Sequence, residues 1–209
     1  MKQVIGVSQL EVFVPGRDET RDCVDQRLLR YVREADLMPI QIPNVFGGSR
    51  NKDLANCELI EWLEGLSVAG IILSGGADIG SSPNRDITET FLLDWSIENK
   101  IPVLGICRGM QVMACHFGAE LKKVAGHAGT YHVISDTQTL RKRLVNSFHN
   151  LSIKELPRDF FVEAVDEDGL IEQISHSVLP WIGVMWHPER ERTITEEDQR
   201  LIVELFHGR

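Results

Sequence analysis

Cys107 is the residue of this sequence whose surroundings most favour covalent chemistry. It lies at the centre of Gly105-Ile-Cys-Arg-Gly109, after a short apolar run and directly before an amphipathic segment. This glycine-x-nucleophile-x-glycine pattern is typical of a sharp strand-to-helix turn that exposes the side chain at its tip. Glycines suit both ends because strand and helix crowd together there and leave no room for a Cβ atom. The pattern predicts a thiolate nucleophile above a helix N-terminus; the alternative is a buried core cysteine at this junction.

His187 is the best candidate for the base that such a nucleophile requires. It follows the apolar run 181–186 and precedes Pro188-Glu189. A histidine at a strand end, with a carboxylate two residues further on, can hold imidazole and carboxylate side by side. The alternative is a capped strand end that leads into the charged, solvated run 189–192. The spacing alone leaves both interpretations open.

The double glycine at Gly75-Gly76 suggests how a developing oxyanion would be stabilised. It follows the apolar run 69–73 and a serine, so it lies at the end of a predicted strand. Two backbone N–H groups aimed at an oxyanion contribute several kcal/mol in a dry site. One N–H could come from the glycine pair and the other from Arg108, just after the cysteine. Most glycine pairs only form turns, and no complete phosphate-loop motif accompanies this pair.

Three further histidines lie in polar segments of the second half. His127 and His132 are five residues apart in a glycine-rich loop, and His149 ends a β-like run. A zinc site is conceivable, but no cysteine or histidine pairing at the usual zinc spacing completes it. We therefore expect polar residues that line a cleft, with neither a metal nor a cofactor.

Length and composition indicate an ordinary globular chain. The 209 residues predict a single domain over 1–209, and the net charge of −9 argues against nucleic acid or an anionic membrane as a partner. The first apolar run is too short for a signal peptide, and no run reaches the length of a membrane helix. The four cysteines have no disulfide-scaffold pattern, which favours reduced thiols and a cytoplasmic location.

The elements that must position these residues alternate between strand and helix through the first 118 residues. The hydrophobic spacing predicts strands at 3–8, 39–43, 69–73 and from 101, helices at 19–35, 54–66 and 88–99, and loops after residue 8 and at 44–50. Such alternation is typical of a parallel sheet covered on both faces, with sites at the carboxyl ends of the strands.

The second half has a different pattern of short β-like pieces separated by polar turns. Residues 166–169 (Asp-Glu-Asp-Gly) predict a hairpin turn, and a final helix over about 196–207 begins after Thr193 or Thr195. We expect this half to add mixed or antiparallel strands to the sheet.

Five segments in a fixed order resemble the class I glutamine amidotransferase superfamily. They are 74–78 (Ser-Gly-Gly-Ala-Asp), 85–89 (Arg-Asp-Ile-Thr-Glu), 105–111 (Gly-Ile-Cys-Arg-Gly-Met-Gln), 145–149 (Val-Asn-Ser-Phe-His) and 183–189 (Gly-Val-Met-Trp-His-Pro-Glu). Within it, the chain looks most like the γ-glutamyl hydrolase branch, peptidase family C26, which includes γ-glutamyl-γ-aminobutyrate hydrolases. Arg108 and the 85–89 segment favour that branch. The resemblance implies a three-layer, flavodoxin-like α/β fold with a mostly parallel central sheet and antiparallel strands added in the C-terminal half.

The resemblance also implies roles for individual residues. Cys107, His187 and Glu189 would be the nucleophile, the base and its orienting carboxylate, and the N–H groups of Gly76 and Arg108 the oxyanion hole. The positions expected to contact the glutamyl part of the substrate are Gly75, Gln111, Ser147 and His149. Two residues depart from the family pattern: Met185 replaces the glutamine that is usual before Trp186, and Asn150 replaces a different polar residue. These departures concern the part of the substrate that leaves as the amine.

The implied reaction is hydrolysis of a small γ-glutamyl amide through a thioester. We expect the thiol pKa to lie below that of a free cysteine, because an imidazolium and a helix N-terminus both favour the thiolate. The leaving amine could be polyamine-derived, an amino acid or nucleotide-linked, and a homodimer is possible. The alternatives are a glutaminase subunit that passes ammonia to a synthase partner and, with less support from the intact residue set, a non-catalytic relative.

Overall fold

A nine-stranded mixed sheet runs through the centre of the molecule. The computed structural model describes residues 2–208. The helices in this range are α1 Gln26–Glu34, α2 Val45–Gly48, α3 Lys52–Gly65, α4 Pro83–Asn99, α5 Arg108–His116 and α6 Glu196–His207. The strands are β1 Val4–Ser8, β2 Leu10–Val14, β3 Glu19–Cys23, β4 Met38–Ile42, β5 Val68–Leu73, β6 Val103–Ile106, β7 Leu121–Lys123, β8 Ala128–Asp136, β9 Lys142–Phe148, β10 Leu151–Ile153, β11 Phe160–Asp166, β12 Ile171–His176 and β13 Trp181–Val184.

The strand order in the large sheet is β4-β1-β5-β6-β13-β12-β11-β8-β9. The first five strands are parallel, and each of the other four pairs antiparallel with its neighbour. Strand β6 is buried at all four positions, so helices cover both of its faces, as the continuous apolar run predicts. The expected α/β architecture is confirmed, including antiparallel strands in the C-terminal half and the hairpin turn at 166–169 between β11 and β12.

The last strand, β13, enters the sheet beside β6 and thereby connects the parallel half of the sheet to its antiparallel half. Gly183 pairs with Gly105 and Val184 with Ile106, and the Cys107 N–H donates to the carbonyl of Val184 at 2.7 Å. On the other side of β6, Leu73 of β5 pairs with Gly105. Because all three strands are parallel, their carboxyl ends lie together at one edge of the sheet.

The segment before α1 differs from its prediction. Residues 19–23 form β3, which pairs with β2 around a turn at 15–18, so the helix predicted over 19–35 is wrong in its first part and the loop prediction is wrong for residues 10–14. Asp25 explains where the helix begins, because its side chain accepts a hydrogen bond from the Arg27 N–H at 2.9 Å. The helical spacing of apolar residues continues past this cap and does not reveal it.

Three other predictions of secondary structure also differ from the structure. The predicted loop at 44–50 contains α2, and α4 begins five residues before its predicted start, with Pro83 in the first helical turn. The short pair β7–β10 was missed because each strand has only three residues, too few for a periodic pattern. The final helix is as predicted, and Thr195 caps it by accepting from the Asp198 N–H at 3.1 Å.

Candidate active site

Cys107 occupies a strained turn between β6 and α5. Its backbone has φ 52° and ψ −105°, a combination that residues with a side chain rarely adopt. A Cβ atom on Gly109 would lie 2.1 Å from the carbonyl oxygen of Leu73, and one on Gly105 would lie 2.4 Å from the sulfur of Met113. The predicted reason for the two glycines is therefore confirmed. The turn directs the cysteine to the edge where β5, β6 and β13 end.

Burial dominates the electrostatics of the Cys107 thiol. The residue is 5% exposed. Burial raises the pKa of Cys107 to about 12, and the hydrogen bond from the Arg108 backbone N–H only partly opposes this. The expectation of a lowered thiol pKa is therefore wrong for the protein without substrate. In this state the sulfur keeps its proton at neutral pH, so attack by this sulfur on a carbonyl carbon would require transfer of that proton to a base.

This raised pKa predicts how Cys107 responds to alkylation. Its rate with iodoacetamide should still rise about tenfold per pH unit between about pH 8.5 and 10, because only the thiolate reacts. Mass spectrometry of the Cys107 peptide measures the rate. N-acetylcysteine serves as the reference, since a free thiol levels off above its pKa of about 8.5. Fast alkylation of Cys107 at pH 6 with no further rise would contradict the prediction.

His187 and Glu189 form a buried pair just past β13. The imidazole Nδ1 lies 2.7 Å from Oε1 of Glu189, and both residues are buried. Pro188 lies between them in a single 3₁₀ turn, Pro188–Arg190, which turns the carboxylate back toward the ring. Since a carboxylate only accepts, Nδ1 carries the proton and Nε2 is left free to act as a base. The predicted contact between imidazole and carboxylate is present.

Asn146 holds the backbone of His187 from the far edge of the sheet. Its side chain accepts from the His187 N–H at 2.9 Å and donates to the His187 carbonyl at 2.8 Å. Asn146 is in β9, four strands away from β13 in the sheet order, so the antiparallel strands curl back over the end of β13. This role of Asn146 was not predicted, because nothing in the local pattern of the sequence places β9 next to His187.

The glycine pair lies directly against His187. A Cβ atom on Gly75 would come within 2.5 Å of Cε1 of the imidazole, so only glycine allows this close approach. Gly76 has φ 144°, which also favours glycine. Gly76 and Cys107 both line one pocket of about 430 Å³.

A buried ionic network holds the glycine pair and the elbow together. Glu89 accepts from Nε of Arg85 at 2.9 Å and also binds the Arg108 guanidinium. Nη2 of Arg85 donates to the carbonyl oxygens of Ser74 at 2.6 Å and Gly75 at 3.2 Å. Because C=O and N–H point in opposite directions across a trans peptide, the N–H of Gly76 points away from Arg85. The helix predicted over 88–99 leaves Arg85 outside, so neither this i,i+4 ion pair nor its burial against this edge of the sheet was predicted.

The other predicted substrate-binding residues do not all reach the pocket. Gln111 and His149 line it, and Gln111 donates to the carbonyl of Leu151 at 3.0 Å. Ser147 is fully buried and is not among the pocket residues; its hydroxyl donates to the carbonyl of His127 at 2.6 Å. Phe148 and Asn150 line the pocket instead. The available sequence signal for Phe148 was its position directly before His149.

The chain matches known proteins over most of its length. The sequence model described as "Glutamine amidotransferase class-I" matches residues 21–207. The chain is 37% identical over 130 residues to the γ-glutamyl-CDP-amidate hydrolase of Campylobacter jejuni, covering 59% of this chain and 64% of the relative. It is 32% identical over 155 residues to a subunit of the glutamine-hydrolysing GMP synthase of Thermococcus kodakarensis, covering 70% of this chain and 79% of the relative. The matched region thus spans a little under two thirds of the Campylobacter enzyme.

The structural comparison supports the same fold. A crystal structure from Thermoplasma acidophilum, provisionally assigned as a GMP synthase subunit, superposes with a TM-score of 0.71 at 23% identity, covering all of this chain and 96% of that one. No helix between residues 2 and 208 combines the length and apolarity needed to cross a bilayer. The sequence match, the sheet order and the cysteine elbow agree: the chain belongs to the class-I glutamine amidotransferase family.

Proposed function

We propose that this protein hydrolyses the γ-glutamyl amide bond of a small conjugate, giving glutamate and a free amine. The observation that carries the proposal is the strained Cys107 elbow at the strand edge that also presents the buried His187–Glu189 pair. A nucleophile, a base and an orienting carboxylate are the parts that acyl transfer through a thioester requires. The name of the Campylobacter relative supports a γ-glutamyl substrate.

The proposed reaction begins with proton transfer from the Cys107 thiol to Nε2 of His187 as the sulfur attacks the γ-carbonyl carbon. The imidazolium, stabilised by Glu189, then gives this proton to the departing amine, and a thioester remains. Water, deprotonated by the same imidazole, attacks the thioester carbonyl, and the products are glutamate and the restored thiol. Since burial keeps the free thiol protonated, attack and proton transfer occur together once substrate is bound.

The backbone N–H groups of Gly76 and Arg108 are the proposed donors to the oxyanion. The Arg108 N–H lies close enough to the Cys107 sulfur to oppose the rise of its pKa, and Arg85 fixes the direction of the Gly76 N–H by holding the carbonyl of the same peptide. We infer that Gly75 and Gln111 contact the glutamyl moiety, because the first touches the base and the second lines the pocket. Ser147 could contribute only by giving up its bond to the His127 carbonyl.

The pocket rim favours an aromatic, anionic leaving group such as a nucleotide-linked amine. Phe148 is 41% exposed, and its ring lies edge-on to His187 with centroids 5.6 Å apart. The Arg190 guanidinium lies over the same ring, 4.6 Å from its centroid. A partly exposed aromatic ring with a cation over one of its faces suits a base and a phosphate.

A glutaminase subunit that delivers ammonia to a synthase partner is the second candidate. The observation that favours it is the 32% identity to the Thermococcus GMP synthase subunit over 70% of this chain. This candidate differs in its best substrate, which would be free glutamine, and in its dependence on a partner.

Glutamate release from a panel of amides separates the two candidates. The panel contains γ-glutamyl-CDP-amidate, γ-glutamyl-γ-aminobutyrate, a γ-glutamyl dipeptide and glutamine. We expect kcat/KM for at least one conjugate to exceed that for glutamine by about a hundredfold or more, because leaving-group contacts contribute to the transition state. If glutamine is the best substrate, and a synthase stimulates its hydrolysis, the hydrolase proposal is wrong and the second candidate holds.

A further inference from the structure

The antiparallel half of the sheet encloses a cluster of imidazoles and carboxylates behind the pocket. His132 lies in β8, Glu172 in β12 and His149 between β9 and β10, while His127 immediately precedes β8. The imidazole centroid of His127 lies 4.9 Å from that of His132 and 4.8 Å from that of His149. Glu172 is remote from the three histidines in the sequence and meets them only because the strands curl.

Glu172 is the charge at the centre of this cluster. Its exposed fraction is 0%. Its Oε1 lies 3.4 Å from Nε2 of His149 and its Oε2 lies 3.2 Å from Nε2 of His132, but neither oxygen makes a well-aligned hydrogen bond with a donor between residues 2 and 208. A buried carboxylate without such bonds is costly unless a cation neutralises it.

The tautomer of His149 shows which kind of cation the cluster suits. Nδ1 lies 3.1 Å from the carbonyl oxygen of Leu151, and because a carbonyl only accepts, Nδ1 carries the proton. In the neutral ring, Nε2 therefore presents a lone pair toward Glu172. Two facing lone pairs repel, whereas a metal ion between them would bind both. An imidazole whose other nitrogen donates to a backbone carbonyl is the usual form of a metal-ligating histidine.

The distances and charges of the cluster also fit a metal. One ligand atom from each of His127, His149 and Glu172 lies within 4.8 Å of the other two. A tetrahedral zinc site with bonds of about 2.1 Å separates its ligand atoms by about 3.4 Å. His149 and Glu172 already have this separation, and the His127 ligand atom, within 4.8 Å of both, would have to move toward the ion on binding. Asp166 is buried behind His127, with Oδ2 3.6 Å from Nε2 of that ring, so two carboxylates would balance one divalent ion.

We propose that His127, His149 and Glu172 bind a divalent transition-metal ion, with His132 and Asp166 orienting the ligands. Mixed imidazole and carboxylate donors suit zinc. His149 and Gln111 share the carbonyl of Leu151 as a partner, and both line the pocket beside Cys107. The metal therefore stabilises the pocket wall. In this proposal His149 holds that wall in place and does not contact the glutamyl group.

The test uses the Cys107→Ala protein with any affinity tag removed, so that neither the active-site thiol nor a tag binds the probe. Elemental analysis and calorimetry with zinc chloride, after removal of metal by a chelator, should give about one tight site per chain. Glu172→Gln and His127→Gln in the same background should weaken zinc binding by at least about a hundredfold, since each removes a ligand. His116→Gln is the matched control, because His116 pairs with Asp94 outside the cluster, and it should bind zinc like its parent.

Zinc should also raise the thermal midpoint of the Cys107→Ala protein by several degrees, but not those of the ligand variants. If those variants do not fold, the visible spectrum of cobalt(II) added to Cys107→Ala gives an independent answer: intense four-coordinate bands support the site, and a six-coordinate aquo-type spectrum overturns it. A folded Cys107→Ala protein without saturable zinc binding would show that the cluster is a proton-balanced histidine–glutamate network. Equal zinc binding by parent and Glu172→Gln would also overturn the proposal.

Discussion

Cys107→Ala should reduce γ-glutamyl amide hydrolysis by at least about a thousandfold while leaving the fold intact. The sulfur is the only proposed nucleophile at the strand edge, and alanine keeps the Cβ atom that the turn already accommodates. The substitution also removes a thiol that burial holds in its neutral form, so it leaves no unpaired charge behind. Glutamate release and circular dichroism of the same preparation measure the two parts of this prediction.

Cys57→Ala is the control for the loss of a thiol as such. Cys57 is exposed on α3, and alanine is a good helix former, so both the rate and the thermal midpoint should stay close to wild type. Mass spectrometry after a rapid quench should detect a γ-glutamyl adduct on Cys107 in proteins that retain this thiol and none in Cys107→Ala. Near-normal hydrolysis by the folded Cys107→Ala protein would exclude Cys107 as the nucleophile.

Glu189→Gln should lower kcat by about a hundredfold to ten-thousandfold with a smaller effect on KM. Glutamine has the shape of glutamate, but its amide N–H can donate to Nδ1 of His187 and so move the ring proton to Nε2. The imidazole could then neither accept the cysteine proton nor be stabilised once charged. Steady-state kinetics on the best conjugate of the panel measure the effect.

Glu204→Gln is the matched control, since Glu204 is an exposed residue of α6 outside the pocket beside Cys107. It should change kcat by less than about twofold. A Glu189→Gln protein with wild-type kcat would show that His187 does not need the carboxylate. An equal loss in both variants would point to a general effect of charge instead.

Some features follow from the sequence because they depend on local geometry. The elbow around Cys107 is predicted by its two glycines. The structure leaves no room for a Cβ atom at either position. The contact between His187 and Glu189 is one of the two interpretations that the spacing leaves open, and the turn that begins at Pro188 brings the two side chains together. Apolar runs predict the parallel strands, because a strand covered on both faces has no polar side to present.

Other features depend on which distant elements meet. The pKa of Cys107 was predicted in the wrong direction, because motif spacing describes neighbouring charges but not the loss of water that burial imposes. The roles of Arg85 and Asn146 require β5, α4 and β9 to reach the same edge, which no local pattern specifies.

The three histidines behind the pocket show most clearly the difference between what local sequence predicts and what distant contacts decide. Their sequence spacing argues against a metal, whereas the curled strands bring His127, His149 and Glu172 within ligand distance of one another. The sequence by itself determined the candidate nucleophile, its candidate base and the parallel sheet that carries them, through sterics and periodicity over a few residues. Only the tertiary structure decided the protonation state of Cys107 and which residues surround the buried histidines. Both depend on burial and on contacts between strands that are far apart in the chain.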